Sequence, residues 1–332
     1  MIICAIESSC DETACAIVND EYKILSNVVS TQIDTHKSFG GVVPEVASRL
    51  HVEQISSVID EAINKSGITM AQVDAIAYTK GPGLVGCLHV GAIAAKTLAW
   101  RYNKPLIAVH HLAGHIYANQ FVTTLKFPCL ALVVSGGNSE LVWMKEDYDF
   151  EVLGQTQDDA VGEAYDKVSK VLGLGYPGGP IIDKLSKQGK ANYHLSMPKV
   201  EGEYDFSYSG LKSNVIQCMQ RIEKSGETVN PNDMAYAFQG IAIGQLIMQL
   251  EKAIHDKHPK MVVLAGGVAA NSYLRNQVEQ LSIKYRDIQF NVPPLYCCTD
   301  NAAMIAAAAF SAYKKHGTVD LATSSDPNWE II

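Results

Sequence analysis

The segment Cys129-Leu-Ala-Leu-Val-Val-Ser-Gly-Gly-Asn-Ser-Glu-Leu-Val-Trp-Met144 reads as a strand, a small polar loop and a second strand. It restarts an order already set at the amino terminus. There, the apolar runs 2–7 and 14–18 flank the loop Ser8-Ser-Cys-Asp-Glu-Thr13. Working outward, each copy continues in the same sequence. After 14–18 come a strand near 23–29, a helix over 46–63, a strand at 75–79 with the loop Gly81-Pro-Gly83, and a helix over 85–100. The strand 106–109 and the helix after it complete the first half. After 141–144 come a strand near 150–153 and a helix over 162–172, then an extended insert over 173–209. A long helix from about 234 to 255 precedes the strand 261–264 and the loop Ala265-Gly-Gly267. A helix from about Asn271, a strand at 288–292 and a helix from Asp300 to 312 close the chain.

Both halves therefore spell β-β-β-α, then β-Gly loop-α, then β-α. Internal repetition of this kind is to be settled before any single motif is read. It predicts an α/β protein of two similar lobes with a cleft between them. The first lobe is expected to hold 1–110 plus about 296–332, and the second 111–295 with the insert 173–209.

Composition sets the bounds. The 332 residues suffice for two domains, and 47% apolar with 19% charged content is ordinary for a globular chain. Glu7 cuts the first apolar run short, which argues against a signal peptide. The longest uncharged stretch, 81–95, is broken by Gly, Pro and His and is too short to span a bilayer. Eight cysteines without a C-x-x-C spacing point to buried thiols in a reducing cytoplasm and away from disulfides or a zinc ribbon. A net charge of −8 argues against a wide nucleic-acid surface on this chain alone. Lys184, Lys187, Lys190 and Lys199 are the nearest thing to a basic cluster, readable equally as a solvated loop.

Chemistry gathers at Ala108-Val-His-His-Leu-Ala-Gly-His-Ile-Tyr-Ala118, where His111 and His115 fall one helical turn apart, on one face, straight after a strand. The repeat sets this helix opposite the one beginning at Asp300, so two imidazoles and a carboxylate converge. Three ligands with open positions suit Fe2+ or Zn2+. The competing readings are a packed helix face for the histidines and a helix N-cap for Asp300. The repeat also sets loop 8–13 against loop 135–139, a pattern able to hold phosphate through backbone N–H groups. Gly266, Gly267 and Asn271 extend it toward a bound nucleotide. Acids cluster near these loops at Asp11, Glu12, Asp158, Asp159, Glu163 and Asp166. Asp11 stands out, because a carboxylate in a phosphate-facing loop repels phosphate unless it has another task; a turn-stabilising Asp is the alternative. His255 and His258, at a helix end, read as solvent-facing.

These segments together resemble the TsaD family of tRNA threonylcarbamoyltransferases. The resemblance runs nearly end to end. It is carried by Glu7-Ser-Ser-Cys-Asp-Glu-Thr13, Gly40-Gly-Val-Val-Pro-Glu-Val-Ala-Ser-Arg49, Thr79-Lys-Gly-Pro-Gly-Leu-Val-Gly86 and Val109-His-His-Leu-Ala-Gly-His115. Val134-Ser-Gly-Gly137, Gly162-Glu-Ala-Tyr-Asp-Lys167, Tyr176-Pro-Gly-Gly-Pro180, Phe206-Ser-Tyr-Ser-Gly-Leu-Lys212, Ala265-Gly-Gly-Val-Ala-Ala-Asn271 and Cys298-Thr-Asp-Asn301 continue it.

The resemblance implies the actin-like, sugar-kinase-like (ASKHA) ATPase fold. It implies that His111, His115 and Asp300 bind a divalent metal ion, iron or zinc. It implies that Val133, Val134, Ser135, Gly136, Gly137, Asp166, Gly179, Asp183 and Asn271 line a pocket for an adenylate or ATP-type nucleotide. The implied reaction moves a threonylcarbamoyl group from threonylcarbamoyl-AMP to the N6 amine of the adenosine beside a tRNA anticodon, in tRNAs reading A-starting codons. Implied partners are tRNA, a paralogous TsaB-type subunit, a TsaE-type small ATPase and a TsaC-type synthase that supplies the adenylate, with no membrane. One departure stands out: many relatives carry His-Thr where this chain has Asn138-Ser139, which removes any role assigned to that His.

Chemically, AMP is a good leaving group and the aromatic amine a poor nucleophile, so polarisation by a metal and proximity carry most of the reaction. Asp11, at the phosphate loop, is the best candidate to accept the amine proton or to orient a metal-bound water. An H-x-x-x-H metallopeptidase is disfavoured because Leu112 stands where the zincin motif has its Glu. An ATP-dependent sugar kinase or chaperone-like ATPase shares the fold but has no use for two such histidines. A non-catalytic scaffold fits poorly with intact motifs.

Overall fold

The computed structural model describes residues 1–331 and divides into two units. The first comprises Met1–Leu125, Glu146–Phe150 and Pro293–Ile332; the second comprises Lys126–Lys145 and Glu151–Val292.

The first unit is built on five strands, β1 (Ile2–Glu7), β2 (Glu12–Asn19), β3 (Ile24–Thr31), β4 (Ala75–Gly81) and β5 (Leu106–His110), in the spatial order β3-β2-β1-β4-β5. β1 pairs antiparallel with β2, Ile6 opposite Cys15, and parallel with β4, Ile6 opposite Tyr78. The central strand is apolar on both faces because both are covered. α2 (Pro44–Ser66) and α3 (Val85–Tyr102) supply one layer, with Ile55, Val58, Ile59, Ala92, Ala95 and Ala99 in its core. α1 (Ile33–Lys37) is a single short turn before α2. α4 (His111–Tyr117) follows β5 without a break. The chain's last helix, α10 (Ala302–His316), returns to this unit and packs on β1, β2, β5 and α4. Its run of small buried side chains, Ala302-Ala303 and Ala306-Ala-Ala-Ala309, lets it lie close to the sheet.

The second unit repeats the topology. Its strands are β6 (Cys129–Val134), β7 (Ser139–Met144), β8 (Phe150–Gln155), β9 (Met261–Ala265) and β10 (Gln289–Asn291), ordered β10-β9-β6-β7-β8. β6 takes the place of β1: antiparallel to β7, parallel to β9 and wholly buried. The helices are α5 (Val161–Val171), α6 (Gly178–Ser186), α7 (Ser209–Lys224), α8 (Pro231–Lys257) and α9 (Ser272–Lys284). α8 starts with Pro231 in its first turn, where no N–H is needed, and with the Asn230 side chain accepting from the Asn232 N–H.

The duplicated α/β order expected from sequence is present strand for strand. Three readings change. The insert 173–209 is not extended throughout, because α6 forms inside it, and α7 follows from Ser209. The last helix begins at Ala302 rather than Asp300. The first unit reaches Leu125 rather than ending at 110, so the histidine-bearing α4 lies in the same unit as α10 instead of opposite it. A short helix that continues an edge strand shares that strand's core, and sequence order alone does not reveal this. No helix among the described residues is long and apolar enough to cross a membrane.

Candidate functional site

β5 ends at His110, and α4 starts at the next residue, so His111 and, one turn on, His115 leave a helix that begins at a strand's carboxyl edge. α10 brings the third group. Asn301 caps that helix, its side-chain oxygen accepting from the Met304 N–H, which leaves Asp300 just outside the helix and free to turn toward the histidines. The cap reading of Asp300 therefore passes to its neighbour. α4 and α10 touch closely: a Cβ on Gly114 would lie 2.8 Å from the Ile305 Cδ1.

His111, His115 and Asp300 each offer a ligand atom, all within 4.8 Å of one another. His115 Nε2 lies 3.0 Å and His111 Nε2 3.6 Å from Asp300 Oδ1. His115 is buried, its Nε2 facing only the Asp300 carboxylate and its Nδ1 making no hydrogen bond. A metal ion at the shared point would be met by both Nε2 atoms and the Asp300 carboxylate at once. The donor set, two imidazoles and a carboxylate, is one that Zn2+ and Fe2+ accept.

Behind His111 stands Glu7, fully buried at the end of β1. Its Oε2 lies 3.2 Å from His111 Nδ1, and Ser9 Oγ lies at the same distance. Thr79 Oγ1 donates to the same carboxylate oxygen, and the Ser9 N–H donates to the other. An acceptor at Nδ1 keeps the proton there and points the Nε2 lone pair at the shared point. Without an ion the charges brace one another. Burial would lower the His111 pKa, but the Asp300 and Glu7 carboxylates push it up to about 9. Burial would raise Asp300, but His111 above all holds it at about 2. Glu7 is likewise held below its ordinary value by His111 against its burial.

Asp11 lies buried in the turn between β1 and β2. It is not one of the ligand trio, but its field reaches the same neighbourhood. Burial, then Asp300 and Asp11, push the Glu12 carboxyl up to about 10. His51 of α2 ties this turn down, its Nε2–H meeting the Cys10 carbonyl at 3.0 Å while Thr13 Oγ1 meets its Nδ1 at 2.6 Å.

The remaining expected residues all fall in the second unit, around the carboxyl ends of β6 and β9. Val133 and Val134 end β6 in full burial, and Gly136 and Gly137 are exposed in the loop beyond. That loop partly satisfies itself. The Ser135 N–H donates to the Asn138 carbonyl, and Ser135 Oγ accepts from the Gly137 and Asn138 N–H groups. Asn138 donates to the buried Glu140. Gly266, at φ +88°, sits where a Cβ would lie 2.3 Å from the Val134 carbonyl oxygen. Its glycine thus serves contact between β9 and β6, whereas Gly267 borders open space.

Asp166 accepts from the Gly178 N–H at the start of α6, one residue before Gly179. Asp183 accepts from Ser272 Oγ at 2.9 Å. Asn271 caps α9 through Leu274 and donates at 2.9 Å to Gln239, which also accepts from Tyr165 and donates to Ser186. A cavity of about 400 Å³ is lined here by Ser186, Lys187, Tyr236, Gln239, Ser272 and Tyr273. Asp158 ties down the start of α7, accepting from Ser207 and Ser209. His255 is exposed as expected. Sequence reasoning missed Glu7 and Gln239. Only Glu7 left a signal, a charge ending an otherwise apolar strand.

Two duplicated units of this topology have the actin-like (ASKHA) fold, and the first of them carries the His-His-Asp group. Full-length HypF, solved in its phosphate- and nucleotide-bound form, shares the fold with a TM-score of 0.64 at 14% identity, over 96% of this chain and 47% of its own. Residues 23–307 match the TsaD family, described as tRNA N6-adenosine threonylcarbamoyltransferase. A Bacillus subtilis protein of that name is 54% identical over 336 residues, 100% of this chain and 96% of its own. Its counterpart in Listeria welshimeri is 54% identical over 309 residues, 92% of this chain and 90% of its own. The chain belongs to the tRNA N6-adenosine threonylcarbamoyltransferase family. It is a transferase that modifies the N6 amine of adenosine in tRNA.

Proposed function

We propose that this transferase takes its threonylcarbamoyl group from threonylcarbamoyl-AMP and delivers it to the adenosine beside the anticodon of tRNAs reading A-starting codons, releasing AMP. We infer one divalent ion per chain, Fe2+ or Zn2+, on His111, His115 and Asp300. The observation that carries the metal reading is the convergence of one ligand atom each from His111, His115 and Asp300 within 4.8 Å of one another.

When bound, such an ion supplies a Lewis acid that polarises a carbonyl or steadies a leaving phosphate. Glu7 orients His111 for it. In the second unit, Asp183 presents a carboxylate held by Ser272, an acceptor suited to a ribose hydroxyl, beside a cavity with room for part of a nucleotide. Asp166, Gly179 and Asn271 complete that end, and Val133 to Gly137 the other. For loop N–H groups to take phosphate there, Gly137 and Asn138 must give up Ser135 Oγ. In the transfer the amine nitrogen bonds the carbonyl carbon, the bond to the AMP oxygen breaks, and Asp11 takes the amine proton.

The reading extends to partners and location. Val85, Ile93 and Trp100 lie exposed along α3, with Trp100 72% accessible. An apolar stripe of this kind fits a paralogous TsaB-type subunit in the cytoplasm. A TsaE-type ATPase and a TsaC-type synthase complete the set by family resemblance.

The test is single-turnover transfer from pre-formed threonylcarbamoyl-AMP to tRNA, with Asp11→Asn beside the parent protein. Transfer is expected to fall by about two to four powers of ten, with adenylate affinity kept. Equal loss of affinity and transfer would make Asp11 a binding or turn residue.

A further inference from the structure

We propose that the carboxy-terminal tail positions the histidine-bearing helix: the Trp329 carbonyl fixes the tautomer of His110, and His110 in turn fixes the first turn of α4. This rests on the reading of His111, His115 and Asp300 as metal ligands.

After α10 the chain does not trail away. The Val319 N–H donates to the Leu106 carbonyl at the start of β5. Lys96 Nζ then donates to the Thr323 carbonyl, the Asp326 N–H to the Lys80 carbonyl, and the Gly83 N–H to the Pro327 carbonyl. The tail finishes at the far end of β5, where the Trp329 carbonyl lies 2.8 Å from His110 Nε2. The Trp329 ring lies 5.1 Å from the His110 ring, and Lys80 Nζ sits 4.4 Å from its centroid.

His110 is the N-cap of α4, and an unusual one. Its Nδ1 accepts from the Leu112 N–H at 3.1 Å, a task normally given to Ser, Thr, Asp or Asn. An imidazole does this only as the neutral tautomer with its proton on Nε2; the other tautomer turns an N–H against an N–H. A carbonyl accepts and never donates, so Trp329 selects the one tautomer that caps. α4 has 7 residues, too few to hold its own first turn without outside help. The residue after the cap is His111, so a cap that slips moves the imidazole. The tail's role is thus carried by a backbone carbonyl whose partner lies 219 residues away.

The link can be cut at either end in the full-length protein. His110→Ala removes both contacts, and His110→Asn keeps a good capping oxygen while losing the tail. Gly81→Ala leaves His110 intact and pushes on the tail, because a Cβ there would lie 1.8 Å from the Asp326 carbonyl oxygen. Co2+ is the probe, read by competitive titration and by its visible ligand-field spectrum at a temperature far below unfolding. Amide exchange at Leu112 is followed alongside. His110→Ala and Gly81→Ala are each expected to weaken Co2+ binding about tenfold, alter the spectrum and speed exchange at Leu112. His110→Asn should recover most of the affinity. If Gly81→Ala does not fold, Trp329→Ala takes its place and should shift affinity in the same direction, about threefold. Wild-type protein that takes up no Co2+ defeats the ligand reading, and the proposal with it. Wild-type uptake with variants of unchanged affinity and spectrum, whatever their thermal stability, overturns the proposal alone.

Discussion

Replacing Glu7 by Gln changes one oxygen for an NH2 group at nearly constant volume, which makes it a clean probe of how His111 is held. The Glu7 carboxylate accepts on both oxygens: from the Ser9 N–H on one, and from Thr79 Oγ1 with His111 Nδ1 on the other. An amide cannot do both. With its NH2 toward Ser9, two donors meet at 2.5 Å and a buried N–H loses its acceptor, a cost of about 1–3 kcal/mol. With its NH2 toward His111, the Thr79 hydroxyl can rotate and accept, but the imidazole must bare Nδ1 and carry its proton on Nε2. That proton blocks the lone pair aimed at Asp300. The second arrangement keeps the protein folded and weakens the ligand set. We therefore expect Glu7→Gln to lower Zn2+ affinity by 10- to 100-fold, about 1.4–2.8 kcal/mol. The assay is competition against a chromophoric chelator at pH 7.5, with thermal unfolding in excess chelator as the control for folding. Affinity within twofold of the parent, in a variant that unfolds normally, would refute the claim that Glu7 sets the His111 tautomer.

Asp300→Ala should lose metal as completely as His111→Ala, measured by elemental analysis of the folded variants; full occupancy would remove Asp300 from the ligand set. His51 is held neutral by burial, its pKa below the ordinary value. The unfolded chain therefore takes up a proton first as pH falls, so this contribution to stability is whole above about pH 6.5 and declines as pH drops through that value. His51→Gln should flatten the stability profile on the acid side of pH 6.5 in denaturant titrations, and an unchanged slope would show that another group carries it. With a net charge of −8, the isolated chain should bind tRNA weakly and with a shallow salt dependence, both rising when partner subunits are added. Tight, steeply salt-dependent binding by the chain alone would point to a basic face instead.

The duplicated fold was legible because its strands carry their own signal. β1, β6 and β9 are short apolar runs covered on both faces, and the loops between them are polar or Gly-rich. α6 was hidden by Tyr176-Pro-Gly-Gly-Pro180, which reads as turn punctuation. In the structure Gly178 begins the helix and Pro180 lies in its first turn, where a missing N–H costs nothing. α7 was there to be read: Leu211, Val215, Cys218 and Ile222 are its buried stripe at helical spacing. It falls between the insert 173–209 and the helix read from about 234, a stretch to which the sequence reading gave no element.

The ligand trio divides the same way. His111 and His115 declare themselves by local spacing; the repeat singled out Asp300 but set it opposite them instead of in the same unit, and the residues that hold all three are set by tertiary contact. Glu7 reaches His111 across the sheet, and the Trp329 carbonyl reaches His110 from the end of the chain. What brings the trio into one unit is α10. Larger residues at Ala306 to Ala309 would lift that helix off β1 and β2, and Asp300 would move with its first turn. The alanine run, with no polar atom in its side chains, therefore sets where Asp300 stands relative to His111 and His115. It does so by allowing a close approach, something that composition and spacing register only as a helix.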